Sequence, residues 1–196
     1  MNILDAIKAM FGIKTQPQVQ ASPVVPITTP TATPEELRRA AMIKAIQSGF
    51  ENWGNPPAAT LAATFADEAM KYPDVYKDNN RFLIPAISVL ESGAGSNLTK
   101  RKDVAPGHRA YNITNWGINL QAGYYEPSSV ENVIERTTSG IGSRTGAYKK
   151  FRESGGLHDL APAYAPVSDN PDSGGDIYAK RLQEVLDVFN KAYKAP

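Results

Sequence analysis

The feature that most constrains the fold of this chain is an apolar stretch from Pro85 that ends in a charged residue, Glu91. Ile87, Leu90 and Glu91 are spaced i, i+3 and i+4, so a helix places all three on one face. Gly93 follows within one turn and predicts the end of that helix. The sequence therefore puts a carboxylate on a buried stripe, close to the negative end of a helix dipole.

This position has a chemical consequence for Glu91. Partial burial and the helix dipole both disfavour the ionised form, so we expect a pKa above the ordinary value for glutamate. A carboxylic acid that keeps its proton near neutral pH can protonate a leaving oxygen, as cleavage of a glycosidic bond requires. The alternative is a glutamate at a helix end whose side chain is simply turned to solvent.

Composition excludes several kinds of site and partner. The chain has 196 residues with 41% hydrophobic content, which suits one substantial core. Its net charge of +1 argues against a nucleic-acid binder that depends on electrostatic attraction. Because there are no cysteines and only two histidines, we expect no thiol chemistry, no cysteine-ligated zinc and no multi-histidine metal site. Cleavage of a glycosidic bond by a carboxylic acid implies no metal or organic cofactor.

The first 33 residues divide into two segments. Residues 1–14 are predicted to form a short amphipathic helix, with its larger apolar residues on one face: Ile3, Leu4, Ile7, Met10 and Phe11. Asp5 and Lys8 interrupt the apolar run along the chain, so the segment is neither a signal-peptide core nor a membrane span. We interpret it as a docking helix for a protein partner or a membrane surface, or as a terminus without function. Residues 15–33 are Pro/Thr-rich and uncharged, which is typical of an extended linker.

The folded domain is predicted to span residues 34–196 and to be mainly helical. Thr33 is a good N-cap, Pro34 suits the first helical position and Glu36 completes a capping box. This first helix is expected to continue to about Gly49. We interpret the following loop, Phe50–Pro57, as holding Trp53 either as a packing anchor or as a platform for a sugar ring.

Apolar periodicity predicts further helices in the rest of the domain. They fall at about residues 60–71, at about 128–139, at Leu157–Tyr164 and at Tyr178–Ala192. In the last of them the buried face is expected to comprise Leu182, Val185, Leu186 and Phe189. Ser128 and Glu131 are expected to form a second capping box.

The residues around and after Glu91 resemble a known family. Glu91-Ser92-Gly93, a basic loop and then Asn112–Asn119 are similar to the E-S-G … N-x-x-N-aromatic-G-I signature of bacterial and phage cell-wall N-acetylglucosaminidases. Later residues are similar to the C-terminal pattern of that family: Tyr148, Gly156-Leu157, Leu160, Tyr164-Ala165-Pro166, Asp169-Asn170-Pro171 and Tyr178-Ala179. The resemblance covers about residues 65–190 and implies a lysozyme-like fold, related to that of the lytic transglycosylases.

The resemblance also implies an activity, the cleavage of a β-1,4 bond in the glycan strand of peptidoglycan. It makes Glu91 the catalytic proton donor and places Tyr164 near the scissile bond as a second catalytic residue. The residues expected to bind the sugar are Ser92, Asn112, Asn115, Trp116 and Gly117. Amides suit hydroxyl and N-acetyl groups, and an indole can lie against a pyranose. In the alternative, Trp116 and Tyr164 belong to the core and the asparagines fix a turn.

The chain departs from the family after the asparagine-rich motif. Many members insert a β-rich lobe that carries a second acidic residue, but Asn119 is followed too soon by Glu126 and the next helix for such a lobe. Glu126 is therefore only a weak candidate for a second carboxylate. A single acid fits substrate-assisted hydrolysis, or a lytic-transglycosylase route in which one glutamate is first acid and then base. A non-catalytic structural or wall-binding protein remains the contrasting hypothesis.

The expected partners follow from these interpretations. Glycan strands of peptidoglycan are the expected substrate, and residues 1–14 are expected to contact a virion protein or a membrane surface. Since the sequence shows no signal peptide, we expect a virion-associated component, or a lysin that reaches the cell wall by a route other than Sec.

Overall fold

The computed structural model describes residues 32–98, 106–116, 126–143, 146–165 and 175–196. Within these ranges every regular element is helical and no strand occurs, so the prediction of a mainly helical fold is confirmed. The docking helix at 1–14 and nearly all of the linker at 15–33 lie outside the described residues and stay predictions. The described helices belong to one compact unit, Ala32–Pro196.

Eight α-helices occur in the described residues. In chain order, α1 to α8 are Pro34–Asn52, Ala62–Met70, Leu83–Ser92, Pro106–Tyr111, Val130–Gly142, Lys149–Ser154, Leu157–Tyr164 and Gly175–Ala192. Short 3₁₀ helices at Pro56–Leu61 and Asp78–Asn80 precede α2 and α3. None of these helices combines the length and the apolar character that crossing a membrane requires.

Helix α1 begins as predicted but ends later. The hydroxyl of Thr33 accepts a hydrogen bond from the backbone N–H of Glu36 at 3.2 Å, and the Glu36 carboxylate accepts one from the Thr33 N–H at 2.7 Å. The predicted end at Gly49 is wrong, because this glycine lies inside the helix against the ring of Phe189. The helix continues to Asn52.

The extension of α1 corrects the interpretation of residues 50–57 as a loop. Phe50 lies in the last turn of the helix with none of its surface exposed. Trp53 is the C-cap residue, and 45% of its surface is exposed. Phe50 follows Ile46 by one turn and so takes the core position on that face. Trp53 therefore does not anchor the packing of the domain.

Helix α8 occupies the centre of the packing and contacts α1, α3 and α7. Its predicted buried face is confirmed, with Leu182, Val185, Leu186 and Phe189 all in the core. The Phe189 ring meets Phe50 edge-on at 5.3 Å and stacks on Phe82 at 6.1 Å. Because Gly49 has no side chain, this ring can lie directly on the backbone of α1.

The start of α5 differs from the predicted capping box. Ser129, one residue later than expected, is the N-cap and accepts a hydrogen bond from the Asn132 N–H at 3.2 Å. The Asn132 side-chain oxygen accepts from the Ser128 N–H at 3.4 Å. Asn132 thus takes the part expected of Glu131, which is exposed in the first turn, where its charge complements the helix dipole.

We expect Gly49→Ala to destabilise the domain. In an ordinary helix this substitution stabilises by about 1 kcal/mol. Here an added Cβ would overlap the Phe189 ring, which Phe50 and Phe82 hold in place, so we expect a net loss of about 1–3 kcal/mol in the free energy of unfolding. Urea unfolding followed by circular dichroism measures this loss. Gln47→Ala, at an exposed position of the same helix, is the control and should change stability little.

Candidate active site

The carboxylate of Glu91 lies at the penultimate position of α3 and is half-buried. Gly93 caps the helix in a left-handed conformation with φ of 58°, as the sequence predicts. Tyr178 Oη donates a hydrogen bond to Oε1 at 2.8 Å, and Asn115 Nδ2 donates one to Oε2 at 2.8 Å. Each carboxylate oxygen therefore has its own donor, and the side chain is not simply turned to solvent.

Burial raises the pKa of Glu91 above the ordinary value for glutamate. The hydrogen bonds from Asn115 and Tyr178 favour the ionised form and offset part of this rise. The position in the last turn of α3 acts in the same direction as burial, because the helix dipole disfavours a negative charge there. The pKa shift therefore has the direction that the sequence predicts, and the carboxyl group keeps its proton to a higher pH.

Asn115 approaches Glu91 from a short loop that follows α4. Its φ is 53°, a left-handed conformation that asparagine tolerates better than most residues. The fully buried side chain of Asn112 closes this loop, because its amide donates to the carbonyl of Trp116 at 2.8 Å and accepts from the Trp116 N–H at 2.9 Å. The conformation that aims Asn115 at the carboxylate is thus set by its neighbours.

Ser92 connects this loop to the end of α3. Its buried hydroxyl donates to the Ile113 carbonyl at 2.6 Å and accepts from the Gly95 N–H at 2.9 Å. Ser92 and Asn112 are both predicted to bind the sugar, but their polar groups are engaged with the backbone. Their geometry favours a role in positioning the loop. Gly117 lies outside the described residues and stays a prediction.

Four aromatic side chains form a continuous cluster beside Glu91: Trp116, Tyr148, Tyr164 and Tyr178. Trp116 stacks on Tyr148 with ring centroids 5.7 Å apart, and Tyr164 stacks on Tyr178 at 6.0 Å. Trp116 and Tyr164 join the two pairs at 6.2 Å. The aromatic cluster therefore reaches the carboxylate through the hydroxyl of Tyr178.

Tyr164, the second residue with a predicted catalytic role, lies in this cluster but is not hydrogen-bonded to Glu91. Its hydroxyl donates to the backbone carbonyl of Thr114, next to Asn115. Burial, and to a lesser extent the charge of Glu91, raises the pKa of Tyr164 well above that of an ordinary tyrosine. Tyr164 therefore stays protonated and supports both donors, Tyr178 by ring stacking and Asn115 through its loop.

Trp116 is half-buried and packs on α5. Its ring lies against Gly140, where a Cβ would leave no room for the indole. The ring also stacks on Tyr148 and contacts Tyr164. These contacts fit the interpretation of Trp116 as a packing residue, and its binding of a sugar stays a prediction.

Glu126, the weak candidate for a second carboxylate, has a different hydrogen-bond partner. Its Oε1 accepts from the backbone N–H of Gly107 in α4 at 3.2 Å. The Glu91 carboxylate is held by the amide of Asn115 and the phenol of Tyr178, and burial is the main cause of the raised pKa of Glu91. The contacts described for Glu91 therefore do not include Glu126. Within the described ranges, no group of three or more His, Cys, Asp or Glu residues is arranged to hold a metal ion.

Comparisons of the chain with family models, with curated proteins and with solved structures find no significant match. The proposed function therefore rests on the geometry around Glu91 and on the sequence resemblance.

Tyr178 is the site residue to which the sequence analysis gave no role, although Tyr178-Ala179 is part of the pattern that resembles the family. It lies one turn before Leu182 on the buried face of α8, with 6% of its surface exposed. A hydroxyl on an apolar stripe requires a partner inside the protein, so the pattern did contain a signal. The partner itself could not be inferred, because Glu91 lies 87 positions earlier in the chain.

We expect Tyr178→Phe to raise the pKa of Glu91 further, because it removes a donor that favours the ionised carboxylate. An NMR titration of the glutamate side-chain carboxyl carbons measures this pKa, and Glu91→Gln assigns the resonance. Tyr148→Phe is the matched control, since its ring contacts Trp116 and Tyr164 within the same cluster. A Glu91 pKa that stays the same or falls in Tyr178→Phe would contradict the hydrogen bond.

The raised pKa also predicts how stability depends on pH. The folded state binds the Glu91 proton more tightly than the unfolded state, so the stabilisation is complete below the unfolded pKa and is lost as pH rises through the folded pKa. We expect the neutral variant Glu91→Gln to melt at a higher temperature than the native chain at about pH 8 and at a similar temperature at about pH 3.

Thermal unfolding followed by circular dichroism at the two pH values tests this expectation. Glu126→Gln is the control, because this residue is exposed and the substitution should have little effect at either pH. A stability gain for Glu91→Gln that is larger in acid than at about pH 8 would have the wrong sign for a carboxyl group destabilised by burial.

Proposed function

We propose that this chain is a peptidoglycan-degrading glycosidase with a lysozyme-like fold that cleaves the β-1,4-linked GlcNAc/MurNAc glycan strand. The observation that carries the proposal is the Glu91 carboxyl group, whose pKa burial raises and whose two oxygens are each held by a neutral donor at 2.8 Å. A carboxyl group of this kind suits proton donation to a leaving glycosidic oxygen. The resemblance to cell-wall N-acetylglucosaminidases supplies the substrate class.

In the proposed reaction, Glu91 transfers its proton to the glycosidic oxygen as the bond to the anomeric carbon breaks. Asn115 and Tyr178 hold the carboxyl group and stabilise the carboxylate that remains. Because hydrogen bonds to an ion are stronger than those to a neutral acid, both contacts strengthen as the proton leaves. Trp116 would lie against the apolar face of a pyranose beside this group.

A single acid leaves two routes for completing the reaction. In the hydrolytic route, the N-acetyl group of the substrate assists at the anomeric carbon and water then completes the cleavage. In the transglycosylase route, the Glu91 carboxylate removes a proton from a hydroxyl of the same sugar, and that oxygen closes an anhydro ring. The amide and phenol donors at Glu91 fit both routes, because each route needs a single carboxyl group that can hold a proton.

The proposal extends to the cellular setting. Residues 1–14 would attach the enzyme to a virion protein or a membrane surface, and the uncharged 15–33 linker would let it reach the wall. This arrangement suits a virion component that opens the wall locally. The contrasting possibility is a wall-binding protein that cleaves nothing.

We expect Glu91→Gln to reduce digestion of purified cell walls by at least about 100-fold, because general acid catalysis contributes factors of about 10²–10⁴. Loss of turbidity of a wall suspension measures the rate. Glu126→Gln is the control and should retain most of the activity. The native activity should fall at high pH, at a pH above that expected from an ordinary glutamate.

Two measurements separate the alternatives. One identifies the fragments that the native chain releases, and the other compares the binding of the native chain and of Glu91→Gln to walls. Mass spectrometry should find reducing ends after hydrolysis or anhydro-muramyl ends after transglycosylation. A native chain and a Glu91→Gln variant that bind walls equally and release nothing would overturn the enzymatic proposal in favour of wall binding.

A further inference from the structure

Trp53 is a large aromatic side chain that the proposed reaction does not use. It follows the last turn of α1, and 45% of its surface is exposed. Exposed residues next to it in the chain, Glu51 and Asn52, carry a carboxylate and an amide. A partly exposed indole can stack on a sugar ring, because the C–H groups of the sugar form an apolar face.

The backbone that carries Trp53 is held on both sides. Gly54 follows in a left-handed conformation with φ of 82°, and its N–H donates to the Glu51 carbonyl at 3.0 Å. The N–H of Asn55 donates to the carbonyl of Phe50, a core residue, at 2.9 Å. This pair of hydrogen bonds is the Schellman arrangement. The indole is thus presented by an ordered segment, which lowers the entropy lost when a ligand binds.

This segment is tied directly to the end of the helix that carries Glu91. The side-chain amide of Asn55 donates to the carbonyl of Gly93 at 2.6 Å and to that of Ala94 at 3.3 Å. Trp53 lies two residues before Asn55, and Glu91 lies two residues before Gly93. The Cα atoms of Trp53 and Glu91 are therefore separated by no more than about 20 Å, the length of several sugar units.

We propose that Trp53 is a sugar-stacking residue of a remote subsite, which binds a glycan strand several sugars away from the bond at Glu91. The inference rests on the proposed function and extends it to a preference for long strands. Trp53 stacks on the apolar face of a pyranose of that strand. A protein partner at this position is the competing occupant.

The test measures strand binding in the Glu91→Gln background, so that no substrate is consumed. Two probes are used, long peptide-free glycan strands of peptidoglycan and a disaccharide of the same repeat. We expect Trp53→Ala to weaken binding of the long strands about three- to tenfold, as the loss of one aromatic contact predicts, and to leave binding of the disaccharide unchanged. Trp53→Phe should restore most of the affinity.

Leu37→Ala is the matched control. Leu37 lies in the first turn of α1 and is 46% exposed, so it is as open as Trp53 but roughly 24 Å away along the helix. This substitution should not change binding of either probe. Melting temperatures of the three variants show that each is folded, and Trp53→Phe keeps the test valid if Trp53→Ala does not fold.

The outcomes show whether Trp53 forms a remote subsite, and they do so independently of whether Glu91 cleaves the strand. Long strands that bind equally to the Trp53→Ala and parent chains, or that bind to neither, would overturn the remote subsite and leave a protein partner as the occupant. An equal loss for both probes would also overturn it, because Trp53 would then act at the Glu91 site or on the whole fold. If walls are not digested in a Glu91-dependent way but strand binding depends on Trp53, the subsite stands and the cleavage proposal fails.

Discussion

Two hydrogen bonds to one carboxylate join three parts of the chain that are far apart in sequence. Glu91 ends α3, Asn115 follows α4, and Tyr178 lies in the first turns of α8. Tyr178 reaches the carboxylate only if α3 and α8 pack in one register, whereas Asn115 reaches it from the loop after α4. Phe189 secures the register three turns further along α8, where its ring stacks on Phe82, the N-cap residue of α3. The geometry of the site therefore depends on the packing of the core.

The chemical identity of the two donors matters as much as their positions. A lysine or arginine in either place would stabilise the carboxylate strongly and would lower its pKa. An amide and a phenol orient the carboxyl group with a smaller electrostatic effect, so burial still determines the direction of the pKa shift. The site is thus both ordered and able to hold a proton, two properties that a salt bridge would not combine.

The sequence predicted structure correctly at several places where the signal was local. The cap formed by Thr33 and Glu36, the end of α3 at Gly93 and the buried face of α8 follow from spacings of a few residues. The contact between Tyr178 and Glu91 was missed because no local pattern links residues so distant. Asn112 was assigned to the sugar since an amide suits a hydroxyl and a backbone turn equally well, and residue type alone does not choose between them.

The assignment of Trp53 to a loop was wrong for a different reason. The glycine at position 49 suggested the end of a helix, and the aromatic residues after it were then assigned to a loop. In the folded chain, Gly49 leaves room for the Phe189 ring of α8, and α1 ends at Asn52, shortly before Gly54. A glycine can be required by its neighbour in space or by its own backbone angle, and the sequence does not distinguish these requirements.

The backbone of Asn115 limits which amino acids this position can accept. Glycine would adopt the same φ but has no group to offer Glu91. Aspartate would tolerate the angle but would place a second negative charge against the first. Glutamine has the required amide, but its longer side chain is less suited to a left-handed backbone. Selection for backbone shape and selection for chemistry thus converge on asparagine.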